Sequence, residues 1–147
     1  MKKQKLVDKI MSAGLKNTKY RVYMIDLLSK SEKLMSAQDI YLELMKKKVN
    51  INLSTVYRTL DKLVETKIIN RVQMEHEKQA LFEYNRNIHH HFLTCLGCNK
   101  IIPIYECPLK DYEEQLQEKT GFILTGHSIE FYGYCKDCQE KLKIKEN

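Results

Sequence analysis

The apolar positions of the first half of the chain repeat at helical spacing four times. In "KLVDKIMSA", Leu6, Val7, Ile10 and Met11 share one face, and Gly14 follows as a stop. "TKYRVYMIDLLSK" starts at Thr18 and brings Val22, Ile25 and Leu28 together. "SAQDIYLELMKKK" opens on a capping box, Ser36 with Asp39, and ends in lysines that suit the negative end of a helix. "STVYRTLDKLVET" opens at Ser54 or just before it, with Val56, Leu60, Leu63 and Val64 in register. The period then changes. "IINRVQMEHEKQALFEY", residues 68–84, reads as two short strands about a polar turn near Glu75–Lys78.

A first helix, three more helices and then a hairpin give the order of a winged helix-turn-helix domain, which is expected over residues 1–84. A hinge is expected at "NRNI", 85–88. Residues 89–147 read as a strand, a "CLGC" turn, a strand at 101–106, a helix at 109–119 and a long strand from Phe122 to Tyr134. The predicted class is α+β: an N-terminal winged helix followed by a small α/β domain.

Charge divides at the same boundary. Residues 1–84 hold 17 Lys and Arg against 10 Asp and Glu, and residues 85–147 hold 8 against 9. All five cysteines, and every histidine except His76, fall in the second part. A basic half without ligands joined to a neutral half rich in them implies two tasks. No apolar run approaches the ~18 residues of a membrane helix, and the start "MKKQKLVDKIMSAG" lacks the continuous apolar stretch of a signal peptide. A cytoplasmic protein without a membrane role is expected, and there cysteines favour metal over disulfides.

On the fourth helix the apolar stripe leaves Thr55, Arg58 and Lys62 facing away from the core, with Tyr57 at the side. A helix that enters a DNA groove needs this arrangement: one stripe anchors it while Arg and Lys reach base edges or phosphates. The plainer alternative is the solvated face of a surface helix. The preceding helix, the following hairpin and the local positive charge favour double-stranded DNA as the partner.

"CLGC" supplies Cys95 and Cys98, and "CKDC" supplies Cys135 and Cys138. Each two-residue gap lets both thiolates of a knuckle address one ion, and two knuckles complete a tetrahedral structural zinc site. Gly97 is expected to help the first turn bend. A disulfide pair is disfavoured by compartment, and a thioredoxin-like motif would show one CxxC, not two. Outside these pairs, His89 and His91 share a face if extended, while His90 points oppositely. His127, Cys107, Asp111 and Glu113 are further candidates for a second, borderline-soft metal site. His76, alone, reads as an ordinary polar histidine. A zinc enzyme would need HExxH or a His-x-Glu before Pro-Cys-x-x-Cys. Neither occurs, so no catalysis is expected.

Together, "GLKNTKYRVYMIDLL", "SAQDIYLEL", "STVYRTLDKLVETKII", "LFEYNRNIHHHFLTCLGC" and "GHSIEFYGYCKDC" resemble the ferric uptake regulator (Fur) family of bacterial metal-dependent repressors. The resemblance spans nearly the whole chain. It implies a homodimer with a C-terminal dimerisation domain over 89–147, a structural zinc on the four cysteines and a regulatory metal that locks the dimer onto a palindromic operator. It also implies that Tyr57 and Arg58 contact DNA, with Arg21 and Lys19 near its backbone. Ungapped alignment on the family pattern puts Glu83, His89 and His90 on ligand positions and His91 on an aspartate ligand. Phe92 stands where the last histidine is expected, and Leu34 where another histidine precedes the "SAQD" helix. What survives is His89, His91 and His127. Lys110 takes the usual carboxylate position there, leaving Asp111, Glu113 or Cys107 to substitute. "IYECP" looks like an element of zinc-responsive members, so the resemblance points to a zinc uptake regulator (Zur). Iron- or manganese-responsive and peroxide-sensing members are the alternatives.

Overall fold

The computed structural model describes residues 3–145. The chain forms two compact units, Met1–Arg86 and Asn87–Asn147.

In the first unit, the four helical repeats form α1 (Lys3–Ser12), α2 (Lys19–Lys30), α3 (Ala37–Lys46) and α4 (Leu53–Glu65). Polar side chains set their starts. Thr18 Oγ1 accepts from the Arg21 amide at 3.4 Å, and Asn52 Oδ1 from that of Thr55 at 2.8 Å. Ser36 and Asp39 complete the capping box. Left-handed Lys48 and Lys67 turn the chain after α3 and α4. Strands β1 (Met35–Ser36), β2 (Ile69–Val72) and β3 (Leu81–Tyr84) form a sheet in the order β1-β3-β2, with both pairings antiparallel. The core gathers Leu6 and Ile10 of α1, Ile25 and Leu28 of α2, Ile40 and Leu44 of α3, Val56, Leu60 and Leu63 of α4, and Phe82 of β3. Each such side chain contributes about 1.5–3 kcal/mol on burial. This is a winged helix, with the β2–β3 hairpin as its wing.

The expected hinge starts inside this unit. The Asn85 amide donates to Ile68 O, its side chain donates to Lys67 O, and the Arg86 guanidinium donates to the carbonyls of Ser29 and Ser31. These bonds tie residues 85 and 86 to the ends of α4 and α2, and the division falls after Arg86.

The second unit contains β4 (His91–Cys95), β5 (Ile101–Ile104), α5 (Lys110–Thr120), β6 (Glu130–Gly133) and α6 (Lys136–Leu142). Its sheet runs β5-β4-β6, with β5 antiparallel and β6 parallel to β4. Two expectations need correction. The strand expected from Phe122 to Tyr134 is confined to Glu130–Gly133. A strand needs a neighbour, and β4 pairs with β6 only from Glu130 to Gly133, while Phe122 and Ile123 are 72% and 88% exposed. The second is α6, which the sequence reading lacked. It begins at the second CxxC, with Cys135 as N-cap and Asp137 in its first turn. Among the described residues of this unit, only His91, Thr94, Cys95 and Cys138 are buried. So small a core leaves the unit dependent on other stabilisation. No helix among the described residues is long and apolar enough to cross a membrane.

Candidate metal centres and nucleic-acid interface

Cys95 closes β4, Cys98 lies in the turn after it, and Cys135 and Cys138 bracket the first turn of α6. Their four sulfurs all lie within 4.8 Å of one another. Cys98 and Cys135 are 3.8 Å apart. A zinc–sulfur length of about 2.3 Å gives a tetrahedral edge of about 3.8 Å, so the donor set fits the ion. The thiols are unequal. The Cys135 amide, donating to Cys95 Sγ at 3.2 Å, brings the Cys95 thiol down to about 6. The hydrogen bond with Cys135, together with burial, pushes Cys138 up to about 12. Four sulfurs around one point become thiolates together only with a cation among them.

Gly97 serves this centre differently from what its place in a turn suggests. The left-handed residue of the knuckle is Asn99, at φ 57°. What Gly97 provides is space: a Cβ there would lie 2.8 Å from Cys138 Sγ and 2.9 Å from Cys138 Cβ.

A second cluster joins residues from three places. His91 opens β4, His89 lies two residues before it, Cys107 is in the loop before α5, and His127 is in the segment between α5 and β6. The three Nε2 atoms are 3.1, 3.1 and 3.2 Å apart, and Cys107 Sγ is 3.4 Å from His127 Nε2. All four donor atoms fall within 4.8 Å of one another. Each imidazole nitrogen is donor or acceptor, not both, so a triangle of ring nitrogens is poorly served by hydrogen bonds. It suits lone pairs converging on a cation, for which zinc–nitrogen lengths of about 2.0–2.1 Å give edges of about 3.3 Å. Burial, reinforced by the neighbouring His89, His127 and His90, lowers the pKa of His91 and favours the neutral ring that a metal requires. Beside the cluster opens a cavity of about 550 Å³ lined by His89, Tyr105, Cys107, Lys110, Glu113 and His127, among others.

The remaining candidates lie outside this donor set. Glu113 is one bond away, its Oε1 2.5 Å from His127 Nδ1. Asp111 joins neither group of donors. His90 turns to the opposite side, its ring 4.9 Å from that of Phe92 and its Nδ1 2.9 Å from Ile88 O. Glu83 belongs to β3 of the first unit, where it accepts from Asn70 at 3.1 Å.

On α4, Arg58 and Lys62 are exposed and Thr55 is half-buried, one stripe opposite the buried Val56, Leu60 and Leu63. Tyr57, 44% exposed, flanks it. Of the two acids on this helix, Asp61 is engaged by Arg71 of β2. Lys62 pairs with Glu65 at 2.8 Å, an exposed contact worth about 0–1 kcal/mol and readily exchanged for a phosphate. Near the start of α2, Arg21 Nη1 donates to Lys16 O at 2.5 Å, and Lys19 lies over the Tyr20 ring at 5.1 Å.

The chain matches the ferric uptake regulator family over residues 12–132, which takes in the winged helix and the histidine–cysteine cluster. The chain belongs to that family. It is 34% identical over 134 residues to the ferric uptake regulation protein of Escherichia coli K12, covering 89% of this chain and 90% of that one. Its counterpart in Neisseria gonorrhoeae is 30% identical over 144 residues, 97% of this chain and 99% of that one. Among solved structures, the Helicobacter pylori regulator, said to have three functional metal binding sites, aligns at TM-score 0.79 with 27% identity, covering 92% of this chain and 90% of that one. A zinc-bound manganese uptake regulator aligns at 0.72 with 25% identity, covering 88% and 98%. As a ferric uptake regulator family member, this protein is a metal-responsive, DNA-binding regulator.

Proposed function

We propose that the chain is a zinc-dependent transcriptional repressor acting in the cytoplasm. Residues 1–84 bind DNA, 85–88 carry the chain out of that unit, and 89–147 form a dimerisation domain stapled by zinc on Cys95, Cys98, Cys135 and Cys138. With zinc also held by His89, His91, His127 and Cys107, the homodimer binds a palindromic operator and represses metal-uptake genes. The observation that carries this reading is the convergence of three Nε2 atoms and one sulfur. Imidazole and thiolate suit zinc, whereas manganese prefers oxygen donors. Four protein donors also leave no open position, which argues against catalysis. Iron or manganese in the same cluster is the alternative, favoured by the names of the relatives.

Arg58, Tyr57 and Thr55 read the operator, Lys62 meets one of its phosphates, and Arg21 and Lys19 contact its backbone. Zinc favours the DNA-competent dimer only by as much as it binds that state more tightly.

The test counts metal per chain and measures operator binding with zinc, iron(II) or manganese(II) added, for the wild type and for the His89→Ala, Cys107→Ser and Arg58→Glu variants. One retained and one exchangeable zinc, the second lost in the first two variants together with DNA binding, is expected. Arg58→Glu should keep both zincs and lose the operator. Full operator binding with iron or manganese, and none with zinc, would refute the choice of metal.

A further inference from the structure

We propose that Glu113 is a positioning residue for the histidine–cysteine cluster and not one of its ligands, which keeps the cluster a closed set of three nitrogens and one sulfur. This rests on the zinc reading above.

The two nitrogens of His127 face different partners. Nε2 looks into the cluster, 3.1 Å from His89, 3.2 Å from His91 and 3.4 Å from Cys107. Nδ1 looks away from it, to Glu113 Oε1 at 2.5 Å. A carboxylate in that place holds the proton on Nδ1, which leaves the Nε2 lone pair for the metal and makes the ring a stronger donor. His127 needs such a partner. It sits between α5 and β6 in a segment without ladder pairing, so the sheet does not fix its ring. Instead α5 grips that segment twice. One turn after Glu113, Gln117 Oε1 accepts from the Leu124 amide at 2.9 Å. No residue of α5 is fully buried, and these two polar contacts join helix to segment.

The arrangement also bears on which metal enters. With Oε1 committed to Nδ1, Glu113 adds no oxygen to the donor set, and manganese and iron(II) lose the donor type they favour over sulfur.

The experiment uses the full chain with its structural zinc in place and titrates zinc, and separately cobalt(II), into the wild type, Glu113→Ala, Glu113→Gln and Cys107→Ser. Glu113→Ala should weaken zinc binding by about 10–100-fold. Glu113→Gln, whose carbonyl still accepts from Nδ1–H, should recover part of that loss. Both should bind as many metals as the wild type and keep the cobalt spectrum of a four-coordinate, thiolate-bonded ion. Unchanged affinity in Glu113→Ala would overturn the proposal. So would a wild-type cobalt site of five or more ligands that loses one in Glu113→Ala, because Glu113 would then be a ligand. If the wild type binds no exchangeable metal, or Cys107→Ser retains the thiolate-to-cobalt band, the zinc reading itself falls and takes the positioning role with it.

Discussion

Replacing Gly97 with alanine tests whether the four-cysteine centre is packed as tightly as it looks. The new Cβ would lie 2.8 Å from Cys138 Sγ and 2.9 Å from Cys138 Cβ, with Leu142 Cδ1 at 3.4 Å. Relaxed carbon contacts lie near 3.5–4.0 Å, so Cys138 must retreat by roughly 1 Å or the turn must open. Overpacking of this kind costs about 1–3 kcal/mol. Against it, alanine narrows the unfolded ensemble and returns about 0.4–1 kcal/mol. Because Cys138 is a proposed ligand, the net loss of about 1–2 kcal/mol falls on metal retention, and each 1.4 kcal/mol is about tenfold in an equilibrium constant. Zinc release to a colorimetric chelator should therefore reach half-completion at a roughly 5–30-fold lower chelator concentration. Gly126→Ala is the control, since a Cβ there meets nothing within 4 Å. Equal zinc retention by the wild type and Gly97→Ala would refute the packing argument.

Four further outcomes are expected. Ser36→Ala removes the hydroxyl that accepts from the Asp39 amide, while the amide of residue 36 still donates to Asp39, and should lower stability by about 1 kcal/mol, read by thermal unfolding. Phe82→Ala empties the centre of the first unit, where Phe82 is 2% exposed, and should cost about 3–5 kcal/mol in a urea titration. Lys62→Ala should weaken operator binding evenly across sequences and reduce the salt slope by about 1, measured by anisotropy at several salt concentrations. Exhaustive chelation should unfold the second unit alone, because its described core is four residues, so the heat-capacity trace should retain one transition from the first unit.

The first unit was legible because its buried residues are apolar and periodic. Val56, Leu60 and Leu63 declare a helix face whatever surrounds them, and Ser36 with Asp39 marks a helix start through local bonds alone. The two CxxC pairs were legible because metal chemistry constrains spacing. Elsewhere tertiary partners decide. Phe122 and Ile123 carry strand propensity, but no strand among the described residues pairs with them. Helix α6 was hidden because a cysteine supplies its buried face and the rest of it is polar or exposed. The division of labour between Cys107 and Glu113 was likewise out of reach. Sequence puts both near His127, and only the folded loop shows that sulfur faces Nε2 while the carboxylate faces Nδ1.

One strand carries a donor of each centre at its two ends: β4 begins with His91 and finishes with Cys95. Four residue steps of extended chain span about 13 Å, and a hydrogen-bonded rung on either side keeps that span stiff. Loosening at the cysteine end is therefore expected to reach the imidazole end, and such a coupling is reciprocal. An affinity read from a partly stripped sample is then an average over molecules with and without their staple. Titrations of the sensor should begin from protein whose cysteine centre has been verified full.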